Sequence, residues 1–163
     1  MAFQLRQIKD VDRELIRRFV SDHWAGESVA VHGVVYYPHM LPGFLAEDER
    51  GELTGLATYN IENGECELVT LDSDQRGEGV GSALIAAVVL EGRKQKCFRV
   101  WLMTTNDNLP ALQFYQKRDF HIVAVHPGAV DRARIVKPSI PLWGIESIPI
   151  RDEIELEMQL KYR

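Results

Sequence analysis

Apolar positions in the first half of the chain follow two rhythms. Between Ala2 and Lys9, Phe3 and Leu5 alternate with Gln4 and Arg6, which predicts a first strand. From Val11 to Trp24 the residues Val11, Leu15, Ile16, Phe19, Val20 and Trp24 recur at helical spacing behind Asp10 and Asp12. An amphipathic first helix is expected there, ended by Gly26. Glu27 to Pro42 is short and β-branched, with His32, Gly33, Tyr36, Tyr37 and His39 mixed in, and reads as a loop or strand-like segment with at most one helical turn. Three extended runs follow, Gly43 to Glu47, Leu53 to Ile61 and Glu65 to Leu71. They are separated by turns at Asp48-Glu49-Arg50-Gly51 and Glu62-Asn63-Gly64, and Asn-Gly is a strong tight-turn pair, so an antiparallel meander is expected.

The second half alternates. Ser82 to Lys94 predicts a helix with Leu84, Ile85, Val88 and Val89 toward a sheet and a weak C-terminal end at Gly92. Phe98 to Thr104 reads as a strand. Asn108 to Arg118 reads as a helix with a polar cap and Pro110 in its first turn, where a missing N–H costs nothing. Phe120 to Val125 is a further strand. Residues 127–149 form a long connection, expected to be a loop packed around Trp143 with Ile140, Leu142, Ile145 and Ile148. Ile154, Leu156, Met158 and Leu160 alternate with polar residues as a last strand. This order predicts an α/β fold, a mixed sheet with helices on both faces, in a single domain over 1–163.

Between strand and helix lies Arg76-Gly77-Glu78-Gly79-Val80-Gly81. A glycine-rich turn opening a helix brings backbone amides close to an anion, because the first amides of a helix have no intrahelical partner. The dinucleotide fingerprint needs a glycine where Ser82 or Leu84 stands, and the Walker ending is absent, so both are set aside. The loop resembles the R/Q-x-x-G-x-G/A segment of the GNAT superfamily of acyl-CoA N-acyltransferases. About thirty residues on, Asn108, Ala111, Phe114, Tyr115, Lys117 and Phe120 match the family's N-x-x-A-x-x-F-Y-x-K/R-x-G-F segment, with Asp119 where glycine is usual. Asp tolerates the left-handed conformation needed there better than most residues.

The resemblance implies the GNAT fold: a six- to seven-stranded, mostly antiparallel sheet with a central splay. It implies acetyl-CoA as co-substrate, held by the amides of Arg76, Gly77, Glu78, Gly79, Val80, Gly81 and Ser82, with Asn108 on the pantetheine arm. A backbone N–H of Val69 or Leu71 would take the thioester carbonyl. A strand glutamate would accept the amine proton; Glu65 and Glu67 lie two apart and share one face, and Glu67 is nearer the splay. Tyr115 would protonate the departing thiolate. The implied activity is acetyl transfer to a primary amine of a small molecule or peptide by direct attack. A non-catalytic acyl-CoA-binding sensor is the alternative, and it needs neither Glu67 nor Tyr115.

Composition adjusts this picture in small ways. The 163 residues are 45% hydrophobic, enough for one sizeable core. A formal charge of -5 argues against nucleic acid or an anionic membrane as partner, though Arg132, Arg134 and Lys137 invite an anionic group. No signal pattern or membrane-length apolar run is present, so a cytoplasmic location is expected, with a homodimer allowed. Cys66 and Cys97 are read as buried thiols. His23, His32 and His39 do not have the spacing of a metal site, and no metal is expected.

Overall fold

The computed structural model describes residues 2–74 and 77–161. Strands β1 (Phe3–Gln7), β4 (Gly43–Asp48), β5 (Leu53–Glu62), β6 (Glu65–Ser73), β7 (Arg99–Thr105), β8 (His121–His126) and β9 (Glu153–Gln159) form one sheet in the order β1-β4-β5-β6-β7-β9-β8. Every pair is antiparallel except β6–β7. The last strand therefore lies between β7 and β8, inside the sheet.

Helices α1 (Arg13–His23), α2 (Val80–Lys94), α3 (Leu109–Gln116) and α4 (Ala129–Val136) complete the frame. The first two lie on opposite faces, as strand alternation shows: Leu45 and Leu56 pack with Ile16, Phe19 and Val20 of α1, while their neighbours Ala46 and Ala57 share a core with Leu84, Ile85 and Val88 of α2. Tyr115 and Phe120 extend the α2-side core. Gly92 is more than a weak helix end. A Cβ there would lie 3.3 Å from Val100 and 3.4 Å from Cys66, so its absence lets α2 press against the sheet. Helix α1 ends at His23, ahead of Gly26.

Residues 27–42 sharpen the sequence expectation, and residues 127–149 depart from it. Residues 27–42 contain a hairpin, β2 (Val29–Val31) with β3 (Val34–Tyr36), and a 3-10 turn at Pro38–Met40. Its two-residue turn is His32-Gly33, both at positive φ (41° and 80°), the backbone twist a tight hairpin demands. The 127–149 connection is not a loop packed on Trp143. It holds α4, which buries Ala129, Val130 and Ala133, while Trp143 and Leu142 are exposed. Its alternating basic residues hid the helix: Arg134 turns back to donate to the carbonyls of Pro141 (2.5 Å) and Ile150 (2.7 Å) instead of facing solvent. Among the described residues no helix is long and apolar enough to cross a membrane.

Candidate active site

The glycine loop delivers the chain to α2 through left-handed backbone: φ is 86° at Gly77 and 82° at Gly79, which precedes the first helical residue. The first bond within α2 runs from the Ala83 N–H to the Gly79 carbonyl, leaving the earlier amides without helical partners. Gly77, Glu78 and Gly79 are exposed; the Val80 side chain is buried, so it offers the loop only its backbone. Gly81 has a packing role, since a Cβ there would meet the Phe114 ring at 3.2 Å. The Arg118 guanidinium lies 3.6 Å from that ring's centroid and donates to Ser82 Oγ from two nitrogens (3.0 and 2.7 Å). A fixed positive charge thus stands at the start of α2, where helix and loop amides already favour an anion. Arg76 lies outside the described residues.

The splay follows from register. Strands β6 and β7 pair only from Glu65–Glu67 to Arg99–Trp101, and beyond them the two strands part. On its other edge, β6 pairs Leu68 with Tyr59 and Thr70 with Thr58, skipping Val69. Val69 is thus an extra, bulged residue at the mouth of the opening. The bulge also shifts the alternation. Leu68 and Leu71 both join the α2-side core, so Leu71 faces away from the α1 side while Asp72 turns to it. A cavity of ≈ 310 Å³ opens here, with Val69, Met103, Thr104 and Asn108 in its lining. Asn108 caps α3, its side chain accepting from the Ala111 N–H at 3.2 Å, while bordering that cavity.

The two candidate bases are in different situations. Glu67 is 4% exposed; His32 Nε2 lies 2.6 Å from Oε1, and the Tyr36 hydroxyl donates to Oε2 at 2.7 Å. Glu65 instead accepts from Arg99 Nε at 2.6 Å, in a cluster with Glu155 and Glu157. Glu67 opens on a smaller cavity of ≈ 200 Å³ with Tyr36 and Trp101, and His32 lines both this space and another of ≈ 450 Å³ adjoining the Val69 cavity. Burial works against the His32 imidazolium, but the hydrogen bond and charge of Glu67 outweigh it and raise the His32 pKa. His32 is thus the link between the buried carboxylate and the larger space. The Tyr36 phenol is held above its ordinary range by burial and by Glu67.

Tyr115 is 8% exposed, edge-on to Phe114 and Phe120. Burial, then the charge of Asp72, raise its phenol pKa above the ordinary value. Asp72 accepts from Trp24 Nε1 at 2.7 Å, and burial pushes its carboxyl up to about 6.

Sequence reasoning missed His32, Tyr36 and Arg118. Arg118 sat within the second matched segment; His32 and Tyr36 sat in a stretch whose hairpin signal was only a His-Gly pair. The three histidines of that reading go separate ways, and among the described residues no group of three His, Cys, Asp or Glu is placed to hold a metal. Lys137, which with Arg132 and Arg134 invited an anionic group, is buried, with Nζ donating to the carbonyls of Trp24 (2.9 Å) and Ser28. Burial lowers its pKa. Cys66 and Cys97 are buried free thiols, and burial pushes the Cys66 thiol up to about 12, away from reactivity.

Comparison with known proteins agrees with this geometry. A sequence model of the acetyltransferase (GNAT) family matches residues 10–120. The chain is 39% identical over 145 residues to the uncharacterized protein YdhI of Bacillus subtilis (strain 168), covering 89% of this chain and 91% of that one. A Bacillus subtilis acetyltransferase solved in complex with CoA superposes with a TM-score of 0.70 at 16% identity, over 98% of this chain and 100% of that one. A GNAT family acetyltransferase from Elizabethkingia anophelis with acetyl-CoA bound gives 0.68 at 17% identity, over 97% and 98%. At such identities the likeness is one of fold.

Proposed function

Because the chain belongs to the acetyltransferase (GNAT) family, we propose that it is an acetyl-CoA-dependent N-acetyltransferase acting on a primary amine of a small molecule or peptide. The observation that carries this reading is the splay itself: a bulged Val69 at its mouth, with the glycine loop at one end of β6 and the buried Glu67–His32 pair toward the other.

On this reading the pyrophosphate of acetyl-CoA rests on the amides from Gly77 to Ser82, with Arg118 behind Ser82. Asn108 borders the pantetheine arm, and the Val69 N–H polarises the thioester carbonyl. A neutral amine attacks that carbon, forming the C–N bond. Its proton leaves through His32 or an intervening water to Glu67. When the C–S bond breaks, the thiolate takes a proton or a hydrogen bond from Tyr115. Glu65, held by Arg99, keeps the β6–β7 junction in register instead of acting as base.

A coenzyme-release assay across a panel of amines, with intact mass measurement to catch self-acetylation, tests the proposal. Acetylated product with at least one amine is expected. Calorimetric binding of acetyl-CoA with no release for any amine would leave a sensor, and no binding at all would overturn both readings.

A further inference from the structure

The ≈ 310 and ≈ 450 Å³ cavities share Ala30, Val31, Met103, Ala133 and Glu153 in their linings, so they form one groove between the β2–β3 hairpin, β7 and α4. Its common wall is apolar apart from Glu153. That carboxylate is 4% exposed, and among the described residues its one hydrogen-bond donor is the His32 N–H, at 3.0 and 3.3 Å. Among the described residues no Lys, Arg or His side chain forms an ion pair with it. A carboxylate offers about four acceptor positions, and burying one with a single amide donor leaves most of them unmet. Lys137 and Arg132 also line the groove but are turned to backbone carbonyls and not to Glu153: Lys137 donates to those of Trp24 and Ser28, and Arg132 to that of Pro127. A bound cation would complete Glu153.

We propose that Glu153 selects the acceptor, and that the acceptor is a dicationic amine whose second ammonium sits on Glu153 with a short apolar spacer along Val31, Met103 and Ala133. This rests on the acetyltransferase reading. It goes further by assigning the one carboxylate among the described residues of the groove's lining to recognition of the acceptor and away from proton transfer. His32 ties the two roles together: its backbone N–H holds Glu153 while its ring meets Glu67. A second ammonium at Glu153 would therefore place the reacting nitrogen within reach of the same imidazole. The spacer's chemistry follows from the wall, which offers methyl and thioether surface in place of hydrogen-bond partners. A monoamine fills the same wall without satisfying the carboxylate, and an amino acid brings a like charge to it.

Calorimetry on the full chain saturated with CoA, using 1,4-diaminobutane, 1-aminobutane and 4-aminobutanoate as probes, tests this independently of turnover. The diamine is expected to bind about ten- to a hundredfold more tightly than the monoamine, the scale of one charge-assisted hydrogen bond in a buried setting. 4-Aminobutanoate is expected to bind more weakly than either. In Glu153→Gln, which keeps an acceptor for the His32 N–H, the diamine-to-monoamine ratio should collapse toward one. Equal binding of diamine and monoamine to the unaltered protein, or tighter binding of 4-aminobutanoate, would overturn the proposal whether or not the variant folds. An unchanged ratio in a folded variant would overturn it too. Binding with the expected preference but no coenzyme release for the diamine would keep Glu153 as a cation site and count against the acetyltransferase reading alone.

Discussion

On the α2 side of the sheet the site is made mostly of backbone, and on the α1 side it is made of side chains. The proposed donor end consists of two left-handed glycines, the amides that precede the first helical hydrogen bond of α2, and a bulge in β6. The proposed acceptor end consists of His32, Tyr36, Glu67 and Glu153, brought together by a hairpin, strand β6 and the last strand. A backbone site recognises what all its ligands share, on the proposed reading a pyrophosphate and a thioester. A side-chain site recognises what distinguishes one ligand from another. Substitutions should therefore act differently on the two sides: side-chain chemistry matters on the α1 side, and permitted φ on the α2 side.

The largest effect is expected at Glu67. Glu67→Gln keeps the shape and the link to His32 but removes the charge, and turnover should fall by about a hundred- to ten-thousandfold, the scale of a lost general base. Because Glu67 holds the His32 pKa up, the acidic limb of residual activity should move to lower pH in the variant, His32 staying neutral further into acid. Glu65→Gln should cost much less, since Arg99 retains Glu155 and Glu157. A pH–rate series on both variants decides. Full activity in Glu67→Gln with loss in Glu65→Gln would reverse the assignment of base.

Gly79→Val tests the backbone side. A β-branched residue at φ 82° is strained, and relaxing it would turn the loop amides away from their ligand. Acetyl-CoA affinity should weaken roughly ten- to a hundredfold, with little change in amine binding; a Cβ there meets nothing within 4 Å, so the effect would be conformational and not steric. Calorimetry with unchanged acetyl-CoA affinity would remove the loop from the binding site.

Tyr115 is a core ring in the structure, and the proposed mechanism gives its hydroxyl a second role at the thiolate. Its raised pKa keeps the phenol protonated throughout the neutral range, which favours hydrogen bonding to the thiolate over full proton release. Tyr115→Phe should lower turnover by about ten- to a hundredfold, toward the lower part of the range for a lost acid. Acetyl-CoA affinity and melting temperature should change little. Normal turnover with lowered stability would mark Tyr115 as a packing residue only.

The same division explains what could be read in the sequence. The meander, the glycine loop, α2 and α3 are local: strand alternation, an Asn-Gly turn and a Pro in the first helical turn each specify their own neighbourhood. Asp119 at φ 63° takes the left-handed position its place in the segment implied. His32 meets Glu67 from 35 residues away and Glu153 from 121, and no period or spacing encodes a contact of that range. Trp143 misled for a related reason. A large aromatic in a long connection suggests a packed loop, whereas α4 buries Ala129, Val130 and Ala133, residues too small to give a strong helical stripe.

The smallest effect concerns Asp72, where the two sides of the sheet meet: Trp24 of the α1 side donates to its carboxylate, and its charge reaches Tyr115 of the α2-side core. Burial is the main cause of its pKa near 6, with the Trp24 hydrogen bond and His23 opposing and Asp74 adding to it. A carboxyl of ordinary pKa 3.8 thus binds its proton more tightly in the folded chain than in the unfolded one. Its charge is no burden below about pH 4. Folded stability falls relative to an uncharged side chain as pH rises from about 4 to 6, and the full deficit stands above 6. Asp72→Asn keeps an acceptor for Trp24 and removes the charge. The variant should therefore melt roughly 2 to 6 °C higher than the unaltered protein at pH 8, with the two curves converging near pH 4. Thermal melts across that range check the sign directly. A variant less stable at pH 8 would show that the Asp72 charge is held by favourable interaction with His23 and Trp24, making the joint between the two sides ionic and not simply buried.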